Sequence, residues 1–166
     1  MRNAKLNNCG NRIGVRKLIF KKIAIASDHA GYEQKEAIKI WLSQNDYEVT
    51  DLGCNSKEHT DYPIYAKACA DAVAKSQAEV GILVCGTGIG MQIVANKVKG
   101  IRAANVIAPD FARLARRHND ANIITLSGKF VDLESNKEIL DVFLNTQASM
   151  ASHHLCRIEM IKEIER

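Results

Sequence analysis

From Lys22 onward, short apolar runs alternate with amphipathic segments, and that alternation constrains the fold more than any other feature of the chain. Ile23–Ala26, Glu48–Leu52, Val80–Val84, Ile101–Ile107 and Asn122–Leu126 read as strands. Between them, Gly31–Gln44 places Ala37, Ile38, Trp41 and Leu42 at helical spacing. Asp61-Tyr62-Pro63 opens a second helix that runs to Ser76, with proline suited to its first turn. Ile89–Val98, Asp110–Arg117, Leu133–Thr146 and His154–Glu165 complete the helices. Strands that alternate with helices make βαβ units. The expected fold is therefore α/β: a three-layer α/β/α sandwich around a five-stranded, mostly parallel, Rossmann-like sheet. Such sheets bind ligands outside the carboxyl ends of their strands.

Charge divides the chain in two. Residues 1–22 hold seven of the 23 basic side chains and none of the 19 acidic ones, so the net charge of +4 resolves into +7 there and −3 over the rest. A transit peptide would also be rich in serine, and the first serine is Ser27. Residues 1–21 are expected to be a basic, disordered extension, with a targeting or nucleic-acid arm as the alternative, and residues 22–166 a single domain. No apolar run approaches the ~18 residues of a membrane span. A cytoplasmic protein with neither a membrane nor a nucleic-acid partner is the expectation. Cys9, Cys54, Cys69, Cys85 and Cys156 are odd in number and lack a C-x-x-C pair, so reduced thiols fit better than a disulfide framework. His153 and His154 with Cys156 lack a second ligand cluster, and neither metal nor cofactor is expected.

The sharpest motif is C-G-T-G-I-G at 85–90, between a buried strand and a helix. Its glycines admit close backbone approach, and the helix start presents unpaired N–H groups to an anion. As a dinucleotide fingerprint it fails on spacing and position, and no Lys-Ser/Thr follows to make a phosphate-binding Walker loop. What sets it apart is the thiol at its lip. Amides at a helix start favour a thiolate, so Cys85 can serve as base or nucleophile, although a lone cysteine is more often a small buried hydrophobe. Asp28 and His29 follow the first strand, with Asp28 equally able to cap a helix. The polar run Arg116–Asn122 precedes the fifth strand, where it could also be a solvated helix end. Taken as three crevice positions, these segments fit one site better than three separate structural explanations.

The segments I-A-S-D-H-A-G-Y-E-Q-K-E (25–36), D-Y-P-I-Y-A (61–66), V-G-I-L-V-C-G-T-G-I-G-M (80–91), A-N-K-V-K-G-I-R-A-A (95–104) and R-R-H-N-D-A-N-I (116–123) closely resemble the B-type ribose-5-phosphate isomerases. Galactose- and allose-6-phosphate isomerases share that family. The resemblance covers about residues 21–165. It implies metal-free aldose–ketose isomerisation of a phosphorylated sugar through a cis-enediol. By the same resemblance Cys85 moves the proton between C1 and C2, and His118 opens the furanose ring. The amides of Gly86, Thr87, Gly88, Ile89 and Gly90, with Asn119, would stabilise the enediolate oxygen. Asp28 would contact sugar hydroxyls, His29 the phosphate end, and Thr87 the substrate. The resemblance also implies a homodimer, or a dimer of dimers, with each site shared between subunits. Leu155, Ile158, Ile161 and Ile164 suit subunit packing or packing on their own domain.

The departures from the family pattern lie at the phosphate grip. Lys129 stands where arginine is usual, and His153, or Ser152 if a one-residue insertion falls differently, takes the place of the first of two C-terminal arginines, Arg157 matching the second. Lysine keeps charge without the planar fork, and an imidazole is ordinarily charged only below about pH 6.5. Arg102, Arg113 and Arg116 are candidates to compensate. Ribose 5-phosphate is the preferred substrate; a hexose 6-phosphate, or a non-catalytic sugar-phosphate-binding regulator, is the alternative.

Overall fold

A computed structural model describes residues 18–165. The elements are β1 (Lys22–Ser27), α1 (Tyr32–Gln44), β2 (Glu48–Asp51), α2 (Tyr62–Ala74), β3 (Val80–Cys85), α3 (Ile89–Ala95), β4 (Ala103–Asn105), α4 (Pro109–Asn119), β5 (Ile123–Ser127), α5 (Leu133–Leu144) and α6 (Ser152–Ile164). The five strands lie in the order β2-β1-β3-β5-β4 and every pairing is parallel, so the sheet expected as mostly parallel is wholly so. Only three residues of the apolar stretch 101–107 pair as a strand. Pairing ends after Asn105, and the chain turns away toward Pro109.

Chain direction across the sheet reverses after β2 and again after β4. With right-handed crossovers, such reversals send successive helices to opposite faces. The apolar packing follows that division. Ile38 and Leu42 of α1, Ala112 and Ala115 of α4, and Ile139, Leu140 and Phe143 of α5 share one core with Ile23, Ile25, Ile82 and Ile124. On the other face, Ala66, Cys69 and Ala70 of α2 and Met91 and Ala95 of α3 pack on Ala24, Ala26, Leu83 and Ile123. Small residues on that second face let α2 lie close to the sheet. Cys69 belongs to this packing: burial pushes its thiol up to about 12, so it stays protonated.

Leu18 and Phe20 pack against the first core, and the Lys21 and Lys22 amides donate to Glu79 Oε2 at 2.6 and 2.8 Å. The folded body therefore takes in Leu18–Lys21, which the sequence assigns to the basic extension. The rest of that extension, 1–17, lies outside the described residues. Among the described residues no helix is long and apolar enough to cross a membrane.

One buried ion cluster fixes the far side of the sheet. Lys35 is fully buried, with Nζ 2.6 Å from Asp51 Oδ2 and 2.8 Å from Glu36 Oε1, and Lys39 joins both acids. Burial alone would raise the Asp51 carboxyl, but the hydrogen bonds of Lys35 and Lys39 hold it below its ordinary value. Asp51 Oδ1 accepts the Gly53 N–H, so α1 anchors the start of the loop that returns to Thr60 beside β1.

Candidate active site

Cys85 is the last residue of β3, where the all-buried strand reaches the carboxyl edge of the sheet. Its Sγ accepts the Gly88 N–H at 3.0 Å, which closes the loop over the sulfur. Gly88 makes that closure possible. Its φ is +82°, a region costly for residues with a Cβ, and an added Cβ would lie 2.8 Å from Asn105 Oδ1 and 3.1 Å from the Leu126 carbonyl. Asn105 Nδ2 in turn donates to the Thr87 carbonyl at 3.3 Å, pinning the loop from β4. Thr87 is exposed and its Oγ1 accepts the Ile89 N–H at 3.2 Å. Beyond the loop, a Cβ on Gly90 would meet the Tyr62 ring at 2.8 Å, so Tyr62 forms a wall of the crevice.

The β1–α1 turn packs on the same edge. Gly31 approaches so closely that a Cβ would fall 2.2 Å from the Val84 carbonyl oxygen. Asp28, buried, accepts the Ala30 and Gly31 amides at 3.0 Å each through Oδ1. Those amides precede helix α1, whose N-cap Gly31 receives no side-chain cap, so Asp28 closes the β1–α1 turn rather than capping the helix; Oδ2 takes no part in either bond. His29 Nδ1 lies 3.2 Å from both the N–H and the carbonyl oxygen of Thr60. The exposed His59 lies beside it, with ring centroids 4.7 Å apart and planes tilted by 35°. Lys129, after β5, completes this edge. Its N–H donates to the Gly86 carbonyl at 3.2 Å and its exposed Nζ lies over the Phe130 ring. Asn136 and Gln34 brace the Lys129 loop, donating to the Ser127, Gly128 and Val131 carbonyls.

His118 and Asn119 are elsewhere. They end α4, just before β5, and in the β3–β5 register Ile123 pairs with Gly81 while Ser127 pairs with Cys85. The polar run 116–122 therefore lies at the amino edge of the sheet, roughly 13 Å of strand away from Cys85. Counting it as a third position in one crevice is wrong for a single chain: it precedes its strand rather than following it. The structure brings together Asp28, His29, Cys85, the 86–90 loop and Lys129 at one edge. It brings together His118, Asn119, His153 and Arg157 at the other, and does not join the two groups within one chain.

At the amino edge, helix α6 lies against α4 and stacks His154 on His118, with centroids 4.4 Å apart and planes 13° from parallel. His153 meets His154 at 4.0 Å. The proposed compensating arginines are otherwise engaged. Arg116 is 4% exposed, donates to Asp120 Oδ1 at 2.8 Å and to the Ala121 carbonyl at 2.6 Å, and lies over the Phe20 ring. Burial pulls its guanidinium below the usual arginine range, and Asp120 opposes the shift. Arg102 holds Asp120 Oδ2 at 3.0 Å and the Asn119 and Asp120 carbonyls. Arg113 is exposed and pairs with Asp110. Two arginines thus clamp the segment that ends in His118 and Asn119, with Asp120 at φ +45° as its pivot.

On α6, Ile158 is buried against the body, whereas Leu155, Ile161 and Ile164 are 39%, 36% and 85% exposed. The helix divides its apolar residues between its own domain and solvent. A groove of about 450 Å³ follows the open edge of β4 between Gln92, Arg102, Asn105, Asn119, Ile161 and Ile164, but neither Cys85 nor His118 lines it. Among the described residues no group of three or more His, Cys, Asp or Glu is placed to hold a metal ion.

The sequence reading did not single out Tyr62, Asn105, Asp120 or His154 as parts of the site. Tyr62 and Asp120 carry local signals, in D-Y-P and in R-R-H-N-D-A-N with Arg116 four residues before Asp120; Asn105 and His154 take their importance from contacts with distant elements.

The family model described as Ribose/Galactose Isomerase matches residues 23–161. The chain is 44% identical over 146 residues to ribose-5-phosphate isomerase B of Escherichia coli (strain K12), covering 88% of this chain and 97% of that protein. A crystal structure of a ribose 5-phosphate isomerase from Thermotoga maritima superposes with a TM-score of 0.84 at 48% identity, over 87% of this chain and 99% of that one. Ribose-5-phosphate isomerase B of Mycoplasma genitalium, solved with bound ribulose-5-phosphate, gives a TM-score of 0.82 at 42% identity, over 86% and 95% of the two chains.

Proposed function

The chain belongs to the ribose/galactose isomerase family, and from that premise we propose that it interconverts D-ribose 5-phosphate and D-ribulose 5-phosphate through a cis-enediol. The observation that carries the reading is the Cys85 sulfur accepting an amide N–H inside a glycine loop. That arrangement suits a thiolate base beside preset donors for an oxyanion.

In the forward direction His118 gives a proton to the ring oxygen and takes one from the anomeric hydroxyl, freeing the aldehyde. Cys85 as thiolate removes the proton from C2. The electron pair forms the C1–C2 double bond, and the charge passes to O1. The amides of Gly86, Thr87, Gly88, Ile89 and Gly90, with Asn119, receive that charge. The thiol then returns its proton to C1 while the O2 proton passes to O1, leaving the ketose. Asp28 uses its uncommitted oxygen on a sugar hydroxyl, and Thr87 Oγ1 contacts the substrate. His29, Lys129, His153 and Arg157 take the phosphate end.

Because the two groups of residues lie at opposite edges of one sheet, each site is made by two copies of the chain. One protomer provides Cys85 and its loop, the other His118, Asn119, His153 and Arg157. The enzyme is thus a homodimer or a dimer of dimers. It acts in the cytoplasm, within the non-oxidative pentose phosphate pathway, with a small sugar phosphate as its substrate. A coupled assay on ribose 5-phosphate, allose 6-phosphate and galactose 6-phosphate tests the reading. Turnover of the pentose phosphate should be highest and be lost in Cys85→Ala. A preference for either hexose phosphate, or activity surviving Cys85→Ala, would overturn it.

A further inference from the structure

His154 has no part in the proposed reaction, yet its ring packs on that of a residue that does. Its ring lies nearly parallel to His118 at 4.4 Å and meets His153 at 4.0 Å with the planes tilted by 49°, so the stacked pair is His118 with His154, between α4 and α6. The helices bring them together from sites 36 residues apart: His118 in the last turn of α4 and His154 in the first turn of α6. Parallel offset stacking is a preferred geometry for aromatic rings and restricts rotation about the bonds that carry them. Without such a neighbour, a half-exposed histidine at a helix end would be free to sample other rotamers.

We propose that His154 is a positioning residue for His118: its stacked ring holds the His118 imidazole in the orientation used for opening the sugar ring. The proposal rests on His118 having the role given above.

The role requires a ring face rather than a charge, and the surroundings disfavour charge. The groups facing His154 are Arg117 and His118 on α4 and His153 and Arg157 on α6, all basic. Desolvation first, and then the charges of His153, His118, Arg157 and Arg117, hold its pKa below the ordinary imidazole range. A neutral ring can lie face to face with His118 while His118 itself gains and loses a proton; two adjacent imidazolium ions would repel.

Two substitutions separate stacking from other contributions. His154→Ala removes the ring, and His154→Phe restores a ring that cannot titrate. With ribose 5-phosphate, His154→Ala should lower kcat about tenfold and leave KM within about twofold, and His154→Phe should recover most of the loss. In histidine-selective nuclear magnetic resonance spectra, His118 should show one ring environment in the wild type and in His154→Phe, and averaged or multiple environments in His154→Ala. The thermal midpoint of both variants is recorded alongside; a kcat loss that simply follows unfolding would overturn the proposal. So would His154→Phe falling as far as His154→Ala, or an unchanged His118 signal in His154→Ala. If His118→Ala retains full activity, the reaction reading fails instead, and the spectra alone decide whether His154 orients His118.

Discussion

At the carboxyl edge of the sheet the functional groups are mostly backbone; at the amino edge they are mostly side chains. The Cys85 end is a loop whose Gly88 amide points at a sulfur, with Gly88 and Gly90 at positions where a Cβ would collide. The His118 end is a set of imidazoles and arginines on two helix ends, held by the Arg102–Asp120–Arg116 clamp and by ring stacking. The difference follows from the tasks proposed for each. Stabilising an oxyanion needs donors that do not reorganise, which backbone amides provide. Moving protons and gripping a phosphate need groups that titrate or carry charge, which only side chains provide. The two kinds of support arise at opposite ends of the same strands, which is why the proposed site draws on two chains.

The strongest way to break this comparison is to inactivate each edge separately and mix the products. Cys85→Ala and His118→Ala should each lower kcat by about 10²–10⁴. If the edges meet across a two-fold axis, a mixed dimer of the two variants contains one intact site and one doubly defective site. Random reassociation of equal amounts should then restore about a quarter of wild-type activity. No recovery after confirmed subunit exchange would mean that the catalytic pair does not form between protomers. Gly88→Ala sharpens the point at the carboxyl edge alone. A Cβ at φ +82° and 2.8 Å from Asn105 Oδ1 must move the amide that reaches Cys85. The expected loss is about 10²-fold in kcat, that of one misplaced oxyanion donor, with little change in KM. Equal losses in kcat and substrate affinity would show the loop to be a binding element instead.

The two edges were also unequally legible in the sequence. C-G-T-G-I-G could be read locally as a candidate site, because the thiol at the strand end and the glycines that open a helix are properties of six consecutive residues. The alternation of Val80–Val84, Ile123–Leu126 and their neighbours with helices was enough to anticipate the layers and the parallel sheet. The amino edge could be noticed, in R-R-H-N-D-A-N, but not placed, because a motif between a helix and a strand does not state which edge it faces until topology is known. For the same reason Arg102 and Arg116 read as free charges available to a phosphate. Only the fold shows that Asp120 takes both. His154 was invisible as a partner of His118, since 36 residues and a whole helix separate them in sequence.

The clamp at the amino edge should matter for stability before it matters for chemistry. Asp120→Asn keeps the left-handed pivot, which asparagine tolerates, and removes the charge that Arg116 and Arg102 share. Removing one partner from a fully buried pair costs more, but Asp120 is 37% exposed, so about 2 kcal/mol is expected by chemical denaturation. Activity measured well below the melting range should fall only severalfold, through slackening of the His118–Asn119 segment. A loss of kcat as large as that of His118→Ala, without destabilisation, would make Asp120 part of the chemistry rather than its support.

The smallest expected effect concerns the substituted phosphate grip. A guanidinium offers a phosphate a planar fork of donors that an imidazole lacks, so at one fixed pH His153→Arg should lower KM for ribose 5-phosphate about two- to fivefold, within the range of one exposed charge interaction. Lys129→Arg, at the opposite edge, replaces one cation by another and should change KM by less than that. An unchanged KM in His153→Arg would remove His153 from the phosphate grip, leaving Arg157 as the charged side chain proposed to reach the phosphate from the amino edge.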